Sequence, residues 1–341
     1  MSAPDRTGPG PDPAAPPSEE ALAALRRRQP RYTGLEAGHR ACQGCGEALA
    51  ARLVTEAIGP DCVVANATGC LEVFSTPWPQ SAWRMPWVHS VFENAAAVAS
   101  GVEAALRQQG RGSKVLAFAG DGGTFDIGLQ ALSGMLERRH DVLFVCYDNE
   151  GYMNTGNQRS GSTPHAARTS TSPAGPARAG KRHMKKDVLG IRAAHHLPYA
   201  ASASVAYPVD LRKKLRRAVD VEGPTFLLVH SPCPLGWGHA SRLTIEVARL
   251  AVETGLFPLV ELADGRPIGA MPIREPRPMD DYLRLQQRFA HLMGDGPRAV
   301  EERAHLQALA DHQIQVYGLR AAGPEPWDTE SADTVRRGGL T

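Results

Sequence analysis

The sequence predicts an α/β protein built on an open, mostly parallel sheet with helices on both faces and a helical C-terminal extension. Two short apolar runs, Val115–Ala119 and Val142–Cys146, are β-branched or aromatic in character and lead into Gly, Asp and Asn, as buried parallel strands do when their C-terminal ends carry a site. Between them Ile127, Leu129, Leu132, Met135 and Leu136 recur at the spacing of an amphipathic helix, placed at 127–138. Strand, crossover helix and strand then bring Asp121 and Asn149 to one edge of the sheet, where open α/β folds bind ligands.

The composition sets bounds. A chain of 341 residues is one large domain or two modest ones, and 42% apolar content can fill a sizeable core. The net charge of +2 gives no electrostatic argument for nucleic acid. No apolar run reaches the ~18 residues of a membrane span. The Pro-, Gly- and Ala-rich start lacks an apolar signal core, so a cytoplasmic protein is expected. Six cysteines in this length do not suggest a disulfide scaffold.

Taken in order, residues 1–33 read as disordered, with a helical turn or two at Ala21–Arg28. The Gly- and Cys-rich loop 38–46 opens into a helix over Glu47–Ile58. A strand, Cys62–Ala67, ends at Thr68-Gly69-Cys70, and an aromatic, Pro-rich loop spans Phe74–Trp87. Small residues make a close-packing helix at Ala95–Leu106. After the central unit, Asn154–Lys186 is long, polar and basic, a length at which a loop is usually functional or mobile. Structure resumes near Val188, with a strand at Ala200–Val205, a helix at Pro208–Val221 and a strand at Thr225–His230. The binding domain is placed at 34–258 and the helical extension at 259–320, with helices at Arg242–Thr254, Met279–Leu292 and Ala299–Leu319. Residues 321–341 read as a frayed tail.

The chemistry gathers at the loop ends. In Gly120-Asp121-Gly122-Gly123 the glycines let backbone N–H groups approach phosphate oxygens. Asp121, the Asn149 amide oxygen and a main-chain carbonyl nearby suit a hard cation such as Mg²⁺. Asp121 alone would serve equally as a helix N-cap, and Asn154-Thr155-Gly156 as an ordinary turn. Cys62 and Cys146 fall inside apolar runs and read as small buried hydrophobes. Cys42 and Cys45 form a C-x-x-C, Cys70 follows 25 residues later, and Cys233 sits between two prolines far along the chain. Four loop thiolates suit zinc or an iron–sulfur cluster, and their spacing does not separate the two.

Together these words resemble the β subunit of pyruvate:ferredoxin oxidoreductase and its 2-oxoacid relatives. The resemblance rests on Gly38–Gly46, Ala67–Cys70, His89–Ala97, Gly120–Thr124, Tyr147–Gly156 and Pro232-Cys233-Pro234 with Gly236-Trp237, and it covers roughly residues 34–310. It implies a thiamine diphosphate-binding fold with Mg²⁺ on Asp121, Asn149 and the Gly151 carbonyl. It implies a [4Fe–4S] cluster on Cys42, Cys45, Cys70 and Cys233, and places Asn154 near the reactive thiazolium carbon. Gly69, Asn94, Gly120, Gly122, Gly123 and Thr155 complete the expected cofactor contacts. Asp148 stands where many members have a second asparagine.

The implied reaction takes pyruvate, coenzyme A and oxidised ferredoxin or flavodoxin to acetyl-CoA, CO₂ and the reduced carrier. Branched-chain 2-oxoacids, 2-oxoglutarate and oxalate stay open as substrates, as does a non-redox thiamine enzyme whose cysteines bind zinc. Glu93 and Glu150 flank motifs without qualifying as the carboxylate that thiamine's aminopyrimidine needs. The resemblance puts that glutamate on a partner α subunit, with γ and δ subunits as further partners. His39 and His89 read as structural hydrogen-bonders or as neighbours of the site, and Arg178–Lys186 as a solvated loop or a contact for coenzyme A or an acidic ferredoxin. The Trp-rich loops read as packing that shields the cluster.

Overall fold

The computed structural model describes residues 32–320, and the expected disorder and helical turns before them and the frayed tail after them lie outside that range. The described residues from Thr33 form one unit around an eight-stranded sheet. Six strands run parallel: β1 (Cys62–Ala67), β2 (Trp87–Ser90), β3 (Lys114–Gly120), β4 (Val142–Asp148), then, after a two-residue ribbon of β5 (Ala174–Gly175) and β6 (Arg178–Ala179), β7 (Tyr199–Ser204) and β8 (Thr225–His230). An antiparallel hairpin, β9 (Val260–Ala263) and β10 (Arg266–Ala270), extends the sheet beyond β7. The spatial order is β10-β9-β7-β8-β4-β3-β1-β2. From β1 the chain leaves towards β2, and from β3 it leaves the other way, towards β4. β1 and β3 therefore flank a switch point, where loops diverge and leave a crevice at the C-terminal ends of the strands.

The central strands are buried on both faces, and β4 is buried along its whole length, so it reads as a continuous apolar run. Phe144 and Phe226 stack at 5.9 Å on adjacent strands. Helix Gly46–Ile58 packs with Pro208–Asp220, and Ala95–Gln108 with Leu129–Glu137. Ala95, Ala96 and Ala99 are buried on the second pair, the small side chains that let that helix lie close to β1 and β3.

Five details depart from the sequence reading. Gly122–Asp126 is a wide π-type turn, so the regular helix starts at Leu129 and Ile127 is rotated out to 54% exposure. β2 lies where a loop was expected to lead directly into a helix. The β9–β10 hairpin falls within the stretch expected to be helical, and only Met279–Leu283 of the proposed 279–292 helix is α-helical, followed by a 3₁₀ segment at Gln287–Leu292. Of the tryptophans expected to pack in the loops, Trp237 is wholly buried whereas Trp78 is 93% exposed. The C-terminal helix, Pro297–Val316, is present and buries Leu306, Ala310 and Ile314.

Candidate functional site

A cavity of about 200 Å³ occupies the switch point. Its walls come from the loop after β1 (Thr68, Gly69, Cys70), the turn after β3 (Gly120–Gly123), and Tyr147, Asn149 and Gly151–Thr155 from β4 and beyond, with Phe92 across the mouth. Asn94 lies outside this lining, exposed just before the helix Ala95–Gln108. A larger hollow, about 660 Å³, lies in front of the N-terminal ends of β3, β4 and β8 and is lined by Arg107, Arg111, Asp141 and Gly223. Parallel sheets present their ligand-binding loops at the opposite ends, so the smaller cavity is the candidate.

Asp121 is buried and makes no helix-capping bond. Its Oδ2 accepts from the Ser160 hydroxyl, and its Oδ1 has no partner. Asn149 is buried, donates its amide N–H to Glu47 Oε1, and leaves its Oδ1 without a partner. A buried acceptor left unsatisfied costs about 1–3 kcal/mol, and more when charged. Two such oxygens from residues that both line one cavity form a donor set suited to a hard cation. Burial, reinforced by Asp148, holds the Asp121 carboxyl well above the usual carboxylate range, and a bound cation would relieve that strain. Gly122 packs against the Tyr152 ring so closely that a Cβ would collide with it. Asn154 and Thr155 sit exposed at the mouth, with Thr155 Oγ1 donating to Gln158 Oε1 at 2.6 Å.

The four loop cysteines converge beside this cavity. Cys70 belongs to its lining. Burial raises the thiol pKa of Cys45, Cys70 and Cys233, that of Cys233 to about 11. Each is raised further by Glu47 and by neighbouring thiols of the set, and Cys70 feels all three others. Four thiolates so placed repel one another unless positive charge sits among them. Cys42 is exposed. Among the described residues, no three His, Cys, Asp or Glu side chains are gathered closely enough to hold a single ion. Cys62 and Cys146 are buried strand residues.

The opposite side of β4 is built differently. Asp148 accepts from Lys185 Nζ at 2.6 Å and from Ser162 Oγ at 2.6 Å. Glu150 accepts from Lys185 at 3.0 Å and pairs with Arg288 at 2.8 Å. These cations hold the Glu150 carboxyl down at about 2 against the opposing effect of burial. Glu150 is thus committed to ion pairs, and Glu93 is half-buried outside the cavity lining. The basic segment expected as a solvated loop is only partly that: Arg178, Arg182 and Lys186 are exposed, but Lys181 is buried and donates to the Gly161 and Thr163 carbonyls. Of the two histidines, His89 Nε2 meets Thr68 Oγ1 at 2.7 Å, one residue behind the cavity wall, and His39 packs on Phe74.

Sequence reasoning missed Glu47. It is 2% exposed, burial pushes its carboxyl up to about 7, and it stands between the cysteines and Asn149. An acidic residue in the first turn of a helix ordinarily reads as a partner for the helix dipole. The Gly beside a C-x-x-C was the available signal that its side chain would be drawn inward.

A crevice at a switch point, with buried unpaired oxygens in its walls and thiols beside it, marks an α/β protein with a ligand site at the C-terminal edge of its sheet. Comparison with known proteins narrows the class. The model of the thiamine pyrophosphate enzyme C-terminal TPP binding domain matches residues 67–229. The pyruvate synthase subunit PorB of Methanocaldococcus jannaschii is 47% identical over 85% of this chain and 98% of its own length. The ketoisovalerate oxidoreductase subunit VorB of Pyrococcus abyssi is 48% identical over 81% and 93%. Among solved structures, the 2-oxoglutarate:ferredoxin oxidoreductase from Magnetococcus marinus superposes with a TM-score of 0.51 at 21% identity, over 59% of this chain and 67% of that one, a likeness of fold. The chain belongs to the family of 2-oxoacid:ferredoxin oxidoreductase β subunits, with a thiamine diphosphate-binding domain. No helix among the described residues is long and apolar enough to cross a membrane.

Proposed function

We propose that this chain is the β subunit of a pyruvate:ferredoxin oxidoreductase, holding thiamine diphosphate through Mg²⁺ and a [4Fe–4S] cluster through Cys42, Cys45, Cys70 and Cys233. The observation that carries the reading is Cys70, which lines the diphosphate cavity and is also one of the four converging thiols. When bound, thiamine diphosphate supplies the electron sink that decarboxylation of a 2-oxoacid requires, and the cluster an acceptor for single electrons. The chain's own residues position both. Asp121 Oδ1, Asn149 Oδ1 and the Gly151 carbonyl would hold Mg²⁺, and the N–H groups of Gly120–Gly123 would face the diphosphate. Phe92, Tyr147 and Tyr152 contribute rings to the cavity wall and would shield a bound cofactor from water, with Asn154 exposed beside them.

Among the described residues lining the cavity, Asp121 is the one carboxylate, and its unpaired Oδ1 supports a role on the cation. The carboxylate for the aminopyrimidine would come from an α subunit, which makes the isolated chain inactive. Pyruvate is the proposed substrate because PorB relatives match across nearly their full length. A branched-chain 2-oxoacid is the second reading, since a ketoisovalerate oxidoreductase subunit is equally similar. The test is anaerobic co-purification with the partner subunits, iron and sulfide analysis, and a 2-oxoacid panel with coenzyme A-dependent reduction of ferredoxin. Iron, sulfide and preferential turnover of pyruvate are expected. Stoichiometric zinc without iron, or robust turnover by the lone chain, would overturn the reading.

A further inference from the structure

Asn149 is held from two directions, and both holds come from the cysteine loops. Its side-chain amide donates to Glu47, two residues after Cys45. Its main-chain carbonyl accepts from Trp237 Nε1 at 2.7 Å, four residues after Cys233. The two loops are one packed piece: Gly46 N donates to the Pro232 carbonyl at 3.1 Å, and a Cβ on Gly46 would stand 2.7 Å from that oxygen. Thr244 Oγ1 fastens the Gly44 carbonyl from the far side at 2.7 Å.

An asparagine amide has two faces, and its orientation is set by its hydrogen bonds. With the N–H₂ on Glu47 Oε1, the oxygen is left for the cavity. The flipped amide would set two acceptor oxygens against each other and turn N–H donors towards the cation. Glu47 is buried, and its second oxygen has no partner, so no competing bond draws it away from Asn149.

We propose that Glu47 is a positioning residue for the cation site: it locks the Asn149 amide with its oxygen towards the metal and, with Trp237, makes Mg²⁺–thiamine diphosphate affinity depend on the cysteine loops. The inference rests on the cofactor assignment proposed above. Partners that orient a metal ligand typically account for about 10–100-fold in metal affinity. Because the interaction is an acceptor contact, a neutral carbonyl in the same place should replace the carboxylate.

The experiment uses the complex purified anaerobically with its partner subunits. Mg²⁺ is titrated calorimetrically at saturating thiamine diphosphate, and iron and sulfide content is measured alongside. Glu47→Leu is expected to weaken Mg²⁺ binding by roughly 10–100-fold with the cluster content retained. Glu47→Gln, which keeps the acceptor oxygen, is expected to restore near-native affinity. Trp237→Phe, which removes the donor to the Asn149 carbonyl, is expected to weaken Mg²⁺ measurably and serves as the readout if Glu47→Leu does not accumulate. Native Mg²⁺ affinity in Glu47→Leu or in Trp237→Phe overturns the proposal. So does a Glu47→Gln as weak as Glu47→Leu, because the charge and not the acceptor would then be at work. Wild-type complex lacking iron, or binding thiamine without Mg²⁺ dependence, overturns the cofactor reading and this inference together, whereas an intact holoenzyme indifferent to both substitutions removes the inference alone.

Discussion

Asp148 and Asn149 are neighbours in sequence and opposites in environment. Asp148, with Glu150, faces a buried network in which each acid has a cation: Lys185 bridges the two carboxylates and Arg288 caps the second. Asn149, with Tyr147, faces the cavity, where the Asn149 and Tyr147 oxygens and Asp121 Oδ1 are buried without partners. Tyr147 and Asp148 part to the two sides by the alternation of side chains along the strand, and the turn beyond it, where Glu150 takes a φ of 64°, carries Asn149 and Glu150 apart in the same sense. The lesson concerns satisfaction, not burial. Both sides are buried, but on one the carboxylates are met by cations of the chain, whereas on the other the acceptor oxygens that line the cavity are left open. Polar atoms that the fold leaves unpaired mark the functional face more sharply than charge or depth.

The largest effect that would test this contrast is on the paired side. Lys185→Met leaves buried Asp148 without a cation and Glu150 with Arg288 alone, and should cost about 3–5 kcal/mol, lowering Tm by roughly 10 °C in a thermal melt without cofactors. Adding Asp148→Asn should recover part of that loss, with a coupling of about 0.5–3 kcal/mol. Strict additivity would mean that the network is not the stabilising unit. On the open side the pattern should invert. Asp121→Asn should weaken Mg²⁺ by more than the roughly 10–100-fold typical of supporting residues, yet leave the cofactor-free Tm unchanged or higher, since it neutralises one of two repelling buried acids. A lower Tm would move Asp121 to the structural side. Ser160→Ala, which removes the hydroxyl bonded to Asp121 Oδ2, should cost Mg²⁺ affinity roughly tenfold, read by the same titration. His89→Ala should be the smallest change, within about 0.5 kcal/mol in stability, with Mg²⁺ affinity unaltered. A larger loss would bring His89 into the site beside Thr68, which already lines it.

The open side was the more legible of the two in sequence. Asp121 and Asn149 each follow a buried apolar run, and glycines mark the backbone around them, so strand ends and cavity could be placed together. The cysteines carried Gly or Pro beside them for the same reason: loops that turn tightly onto one another. The paired side was hidden because one of its cations, Arg288, lies about a hundred residues away in sequence and the other, Lys185, comes from a basic stretch with no periodicity, where nothing local distinguishes Lys181 and Lys185, which turn inward, from Arg178 and Arg182, which do not. The β9–β10 hairpin was missed because Pro267, Gly269 and Arg266 suit an edge strand and break the alternation that reveals one. The helix after β3 was placed two residues early because the π-type turn at Gly122–Asp126 shifts the phase, and periodicity alone cannot register an extra residue in a turn. Asn94 was carried by its motif, although its neighbours and not its own side chain reach the cavity.

The division of β4 into a paired face and an open face has a consequence for which length changes the gene can tolerate. Removing or inserting one residue within Val142–Asp148 would shift every later side chain to the other face of the sheet, setting a carboxylate into the cavity and an amide among the cations, with composition nearly unchanged. The segment after Asn154 is fastened at Ser160, Ser162, Lys181 and Lys185, and its largely exposed stretch 173–178 is where such changes could be absorbed. Drift in this family should therefore appear as substitutions in β4 and as insertions and deletions in the segment that follows it.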